Sequence, residues 1–219
     1  MANTELLGRH TISRLHHYRK ALHKLKQMGF IRVFSDNLAD AIGVTSSQVR
    51  RDFSVFGLAG NKRGGYSVPD LIEKLDRKLR KDEIQKIVVI GAGNIGKALI
   101  GYRYFEDEGM RIAAAFDSDP AKVDRKARVP VLPIEEMETW IKKEKIEVAV
   151  LAVPEAVAPQ VFDRLAQAGI RGVLNFTPVR LSGGEGKTAV SHINVGHELE
   201  TLLYLVNSDH SKNLSKENP

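Results

Sequence analysis

Gly91-Ala92-Gly93-Asn94-Ile95-Gly96 is the stretch whose residue types and spacing carry the plainest chemistry. It fits the pattern G-x-G-x-x-G, which alone is weak evidence. Here it directly follows an apolar run, Lys86–Ile90, and opens a helical one, the setting in which the pattern cradles a pyrophosphate. Gly91 permits the tight turn, Gly93 lets a phosphate reach the backbone, and Gly96 lets helix and strand pack closely. The helix N-terminus favours the negative charge. Asp117 stands 21 residues after Gly96, at the end of the next apolar run, where an acidic side chain binds an adenine ribose. A carboxylate there repels a 2′-phosphate, so NAD(H) is expected over NADP(H). A turn or helix cap is the other role open to Asp117.

A second set of residues suits nucleic acid. Ser46, Ser47, Gln48, Arg50 and Arg51 fall near the start of a helix behind Thr45, the end that enters a major groove. Gln and Arg make bidentate contacts with base edges, and hydroxyls suit phosphates. Lys62-Arg63-Gly64-Gly65 reads as the tip of a wing, where glycines allow close approach and an Arg is drawn to a narrow minor groove. The competing reading is a small helical interaction domain whose cations are merely solvated.

Chemistry that is missing also constrains function. There are no cysteines, which excludes disulfides, thiolate metal sites and a thiol nucleophile, and suits a cytoplasmic protein. His192 and His197 are the acid–base candidates behind the expected sheet, and they form no catalytic constellation. The sequence therefore predicts a dinucleotide site without machinery to use it, and no enzyme.

These residues need elements to position them. Thr11–Met28 has apolar residues at spacings of three and four, predicting a helix that Gly29 stops. Ser35 is the expected N-cap of a second helix to Ile42. A third starts behind Thr45, with Gln48 fitting a capping box and Val44 and Val49 a hydrophobic staple. Ala39 and Gly43 are small where two helices must approach and turn. Gly57–Tyr66 reads as a hairpin, and Pro69 opens a further helix to Leu79. Together these predict a winged helix-turn-helix.

Beyond Lys81 strands and helices alternate. Strands are expected at Lys86–Ile90, Arg111–Phe116, Val129–Leu132, Glu147–Val153 and Gly172–Asn175. Helices are expected at Asn94–Phe105, Glu135–Lys145, Ala156–Ala168 and Gly196–Val206. The alternation predicts an α/β, Rossmann-like, doubly wound parallel sheet. The expected boundaries are a DNA-binding domain at 1–80, a nucleotide-binding domain at 81–195, a final helix at 196–207 and a disordered tail at 208–219.

Charge supports the division. Of 219 residues, positions 1–80 hold 15 Lys and Arg against 7 Asp and Glu, and the remainder holds 18 against 20. A basic front joined to a nearly neutral back suggests that the front part meets a polyanion. No apolar run approaches the roughly 18–20 residues of a membrane span, and the N-terminus is too polar for a signal peptide.

Taken together, these residues resemble a known family. Gln48-Val49-Arg50-Arg51-Asp52, Lys62–Tyr66, Gly91–Gly96, Ala114-Ala115-Phe116-Asp117, Ala152-Val153-Pro154 and Asn175-Phe176-Thr177-Pro178-Val179-Arg180-Leu181 are similar, in order, to the redox-sensing transcriptional repressor family Rex. The resemblance implies a homodimer on an inverted-repeat operator in double-stranded DNA, released by NADH and permitted by NAD+, with the last helix exchanged between subunits. It implies that Val153, Pro154, Asn175, Phe176 and Thr177 line the cofactor pocket. It also implies that Arg14 and Tyr102 link the nicotinamide site to the DNA-binding part, with Val195 against the partner's nicotinamide. One residue departs from the pattern: Asn194 stands where the family has Asp, so a charged latch lacks its carboxylate. The residues alone leave two other functions open, an NAD-dependent oxidoreductase with an accessory basic domain and a coenzyme A or acyl-phosphate sensor.

Overall fold

The computed structural model describes residues 8–58, 60, 64–79, 83–183 and 188–214, with the side chains of Arg9 and of 209–214 left aside. Lys62 and Arg63 of the expected wing tip lie outside the described residues. The chain divides into two compact units between Glu83 and Ile84.

The first unit contains α1 (Arg9–Gln27), β1 (Arg32–Val33), α2 (Ser35–Ile42), α3 (Ser46–Val55), β2 (Tyr66–Ser67) and α4 (Val68–Lys78). Its core joins Leu15, Tyr18 and Leu22 of α1 to Leu38 and Ala39 of α2, Val49 and Phe53 of α3, and Leu71 and Leu75 of α4. The turn between α2 and α3 uses Gly43 at φ 72°, a left-handed conformation natural to glycine. Thr45 then caps α3 by accepting a hydrogen bond from the Gln48 backbone N–H at 3.1 Å.

Three local expectations are corrected. The N-cap of α2 is Phe34, not Ser35, and Asn37 accepts a hydrogen bond from the Phe34 N–H. The capping box of α3 is one-sided: Thr45 accepts from the Gln48 N–H, but the Gln48 side chain turns to Asp52 and does not accept from the Thr45 N–H. The described residues of Gly57–Tyr66, which leave out 59 and 61–63, form no ladder with one another. Among the described residues β2 pairs antiparallel with β1, Val33 opposite Tyr66. A two-residue strand between helices has too few positions to show a period in the sequence.

The second unit is a six-stranded sheet, parallel throughout, in the order β5-β4-β3-β6-β7-β8. The strands are β3 (Gln85–Ile90), β4 (Met110–Asp117), β5 (Val131–Pro133), β6 (Val148–Leu151), β7 (Gly172–Asn175) and β8 (Ala189–His192). Alternate residues serve opposite faces. Val88, Ile90, Phe116 and Leu151 pack with α7 (Met137–Glu144) and α8 (Ala158–Ala168). Ile87, Val89 and Val150 face Leu99 and Ile100 of α5 (Asn94–Ile100) and Phe105 of α6 (Tyr104–Asp107). The single helix expected over Asn94–Phe105 is thus two, interrupted after Gly101, the residue capping α5.

β8 is an addition to the expected strands; among the described residues no helix leads into it, so the strand–helix alternation gives no sign of it. The last helix, α9, runs Val195–Leu214 instead of ending near Val206, so 208–214 is helical rather than a loose tail. No Gly or Pro interrupts Asn207 to Leu214, and propagating a formed helix is easy. Leu199, Leu202, Leu203, Tyr204, Leu205 and Val206 are all more than half exposed. Among the described residues no helix is long and apolar enough to cross a membrane.

Candidate functional site

Counted along the chain, the sheet begins at β3 in its middle, grows outward to β5 and then restarts on the other side with β6. Ligands of open parallel sheets bind where that order reverses, outside the carboxyl ends of the strands. A cavity of about 650 Å³ lies there, lined by Gly91, Gly93, Asn94 and Ile95 after β3, Asp117 after β4, and Val153 and Pro154 after β6. Seven expected site residues thus meet around one space.

The glycine loop shows why it needs glycine. Gly91 has φ 96°, and a Cβ on it falls 2.3 Å from the Ala152 carbonyl oxygen. A Cβ on Gly96 falls 1.8 Å from the Gly91 carbonyl oxygen, so α5 packs directly on the turn. Around Gly93 a Cβ meets nothing within 4 Å. The protein's own packing does not require glycine at that position, and the open backbone faces the cavity where a phosphate needs close approach. Ala92 is buried, its N–H donating to Asp117 Oδ2 at 2.7 Å.

Asp117 is 8% exposed and closes the other side of the loop. Its Oδ1 accepts from the Asp119 N–H at 2.9 Å, and the Lys122 ammonium sits 3.3 Å from Oδ1 and 3.2 Å from Oδ2. Burial pushes its pKa up, but the Asp119 and Ala92 N–H groups and Lys122 outweigh this and hold it below the usual carboxylate range. The group is an anion at neutral pH, as a ribose acceptor must be. The residues present fit an adenine dinucleotide.

Asn175, Phe176 and Thr177 do not line this cavity. Asn175 is fully buried and folds its own loop: its amide donates to the Val179 carbonyl at 2.8 Å, and its Oδ1 accepts from the Thr177 N–H and hydroxyl. Phe176 packs with the Ile87–Val89 face of the sheet. Tyr102 is half exposed, its ring edge-on to Phe105 at 5.2 Å. Asn194 caps α9, accepting from the His197 N–H at 3.0 Å, and Val195 beside it is exposed. His192 accepts from the Leu181 N–H at 3.0 Å. Among the described residues no group of His, Asp or Glu is placed to hold a metal ion.

In the first unit Asp52 is nearly fully buried on α3 and gathers four donor atoms. Arg14 Nε and Nη2 donate to it at 2.6 and 2.8 Å, Tyr18 Oη at 3.0 Å, and Gln48 Nε2 at 2.7 Å. Burial raises its pKa, and the bonds from Arg14, Gln48 and Tyr18 overcome that and lower it. Burial, with the hydrogen bond to Asp52, pushes the Tyr18 phenol well up. One N–H of the Gln48 amide is therefore taken up within the protein, which fixes the side chain and leaves its other N–H and its carbonyl outside that bond. Arg50 and Arg51 are exposed, Ser46 is half-buried, and exposed Ser47 bonds Thr45 at 2.8 Å.

Arg50 and Tyr66 line a cleft of about 760 Å³ with Phe34, Ser35, Ser54 and Gly65. Tyr66 is anchored edge-on to Phe53 at 5.1 Å. Arg32 Nη1 donates to the Gly64 carbonyl at 2.6 Å, tying β1 to the wing. Arg32, Phe34 and Asp52 escaped the site reading. Asp52 left one signal, a carboxylate one residue before Phe53 on the core face of α3, where burial demands a cation.

Comparison with known proteins agrees with both units. A family model described as "CoA binding domain" matches residues 82–179, and one described as "Putative DNA-binding protein N-terminus" matches residues 8–54. A redox-sensing transcriptional repressor Rex of Limosilactobacillus reuteri is 38% identical over 94% of this chain and 96% of its own. One of Ligilactobacillus salivarius is 37% identical over 90% and 92%. The crystal structure of RSP in complex with β-NAD+ and operator DNA is 32% identical with a TM-score of 0.87, covering 97% of this chain and 98% of that one. RSP with β-NADH gives 31% and 0.79, covering 94% and 97%. With likeness of sequence and fold over nearly its full length, this chain belongs to the Rex family of redox-sensing transcriptional repressors.

Proposed function

We propose that this chain represses transcription as a homodimer on an inverted-repeat operator in the cytoplasm and leaves the DNA when NADH binds. The observation carrying this is the union, in one chain, of the glycine-lined crevice at the sheet's reversal point with a recognition helix. α3 enters the major groove with Ser46, Ser47, Gln48, Arg50 and Arg51, and the wing bearing Lys62, Arg63, Gly64 and Tyr66 serves the minor groove. The exposed apolar residues of α9 support an exchange of this helix between the two subunits.

The nicotinamide supplies the signal, neutral when reduced and cationic when oxidised, and an apolar pocket closed by a dimer accepts the neutral ring more readily. Gly91 to Gly96 hold the pyrophosphate and Asp117 the ribose. Val153 and Pro154 bound the rest of the crevice, and the loop of Asn175, Phe176 and Thr177, outside the cavity, serves the nicotinamide end. Arg14, Tyr102, Asn194 and Val195 carry the coupling. For Arg14 the geometry supplies a reason: withdrawing its guanidinium leaves Asp52 buried without a cation, and Asp52 positions Gln48. Ligand preference between two forms sets the size of the response, typically ~1–3 kcal/mol.

The test is a titration of NADH, NAD+, NADPH and coenzyme A into the protein bound to an inverted-repeat DNA selected from a random pool, read by fluorescence anisotropy. NADH is expected to release the DNA and NAD+ to leave it bound. Release by coenzyme A alone overturns the reading, as does hydride transfer to an added substrate.

A further inference from the structure

The rim of the nucleotide crevice contains a cation that the glycine pattern does not announce. Lys122, on the short turn Pro120–Lys122 after β4, is two-thirds buried and straddles both oxygens of Asp117 at 3.2–3.3 Å. Backbone N–H groups already hold one lone pair on each oxygen, so the ammonium occupies the fork where a ribose diol approaches. Asp119 lies 3.9 Å from the same ammonium, leaving the trio with one net negative charge. Arg164, the other cation on the lining, is held by Glu138 and by the Ile134 carbonyl at 3.0 Å. Lys122 is therefore the cation placed to meet whatever the ribose carries.

We propose that Lys122 shares the ribose end of the crevice with Asp117 and weakens its exclusion of a 2′-phosphate, so that the site admits NADPH as a poorer second ligand and Lys122 sets the margin. The inference rests on the NAD(H) reading given above. With NADH the carboxylate accepts from a ribose hydroxyl while the ammonium donates beside it. With NADPH the ammonium faces the phosphate and offsets the repulsion from Asp117. Without Lys122 two carboxylates stand unscreened, and the phosphate suffers far more than a hydroxyl.

Dissociation constants for NADH and NADPH, measured by calorimetry on the full-length protein, test this in wild type, Lys122→Met, Lys122→Arg and Asp117→Asn. Lys122→Met is expected to widen the preference for NADH by about tenfold or more, the size of a charge-assisted contact. Lys122→Arg restores the wild-type ratio, and Asp117→Asn narrows it. NADPH binding also weakens more steeply with salt than NADH binding, and Lys122→Met removes the difference. A ratio unchanged within about twofold in folded Lys122→Met overturns the inference while NADH binding stands. Failure of wild type to bind NADH at all overturns the NAD(H) reading, and this inference with it.

Discussion

Arg14 and Asp52 meet across 38 residues of chain in a two-pronged ion pair, Nε to Oδ2 at 2.6 Å and Nη2 to Oδ1 at 2.8 Å, that fastens α1 to α3, the proposed recognition helix. The carboxylate is almost wholly buried and the Arg14 side chain 23% exposed, so removing one partner is more damaging than removing a surface pair. Arg14→Ala is expected to destabilise the first unit by about 3 kcal/mol in urea unfolding. Asp52→Asn, which leaves the unpaired charge on the partly exposed Arg14 rather than on a buried carboxylate, loses about half as much. The same Arg14→Ala protein releases its operator with reduced sensitivity to NADH in anisotropy titrations; full sensitivity rules out a coupling role for Arg14.

The ion pair also sets an acid response. Asp52 and Asp117 both have folded pKa values below the ordinary carboxylate value. Their contribution to stability is complete above the unfolded pKa of about 3.9 and falls away as pH drops through the lower folded values. Urea unfolding followed from pH 6 downward should show stability falling below about pH 4, and the fall should be shallower in Asp52→Asn. An identical slope in both proteins contradicts the assignment.

Asn194 keeps the capping half of the role that an Asp has at the same place. Its Oδ1 receives the His197 N–H, which a carboxylate does equally well while adding charge at a helix N-terminus. Asn194→Asp is expected to stabilise α9 by ~0.3–1 kcal/mol and to shift operator release to lower NADH. Asn194→Ala removes the cap at about 1 kcal/mol. Thermal melts report the first effect and operator titrations the second.

Arg32 holds the proposed wing through the Gly64 carbonyl from an exposed position, so on the proposed docking it should matter to DNA more than to folding. Arg32→Met is expected to weaken operator binding about tenfold with unchanged helix content by circular dichroism. The loss should be equal for operators that differ only in major-groove bases, because the wing does not read them.

The two units differ in how openly the sequence shows them. Val88 to Ile90, Ala114 to Phe116 and Ala149 to Leu151 are buried on both faces of a parallel sheet, so they read as continuous apolar runs between helices. The glycine loop is legible because backbone contacts at Gly91 and Gly96 forbid any side chain. What stays hidden depends on long-range partners. β1 exists because β2 pairs with it, and β8 because β7 presents a free edge. Two short-range pairs are hidden as well, because side-chain direction decides them: Lys122 looks like one more surface lysine though Asp117 is five residues away, and Gln48 looks free though Asp52, four residues on, takes one of its amide N–H groups.

The greasy side of α9 has a consequence for the cell. A lone copy leaves Leu202, Leu203 and Val206 wet, which water penalises and which invites clumping. On the proposed pairing through α9, thermal tolerance rises with the number of copies present. A gene regulator paired in the way proposed would lose its grip by dilution alone, whatever the coenzyme says.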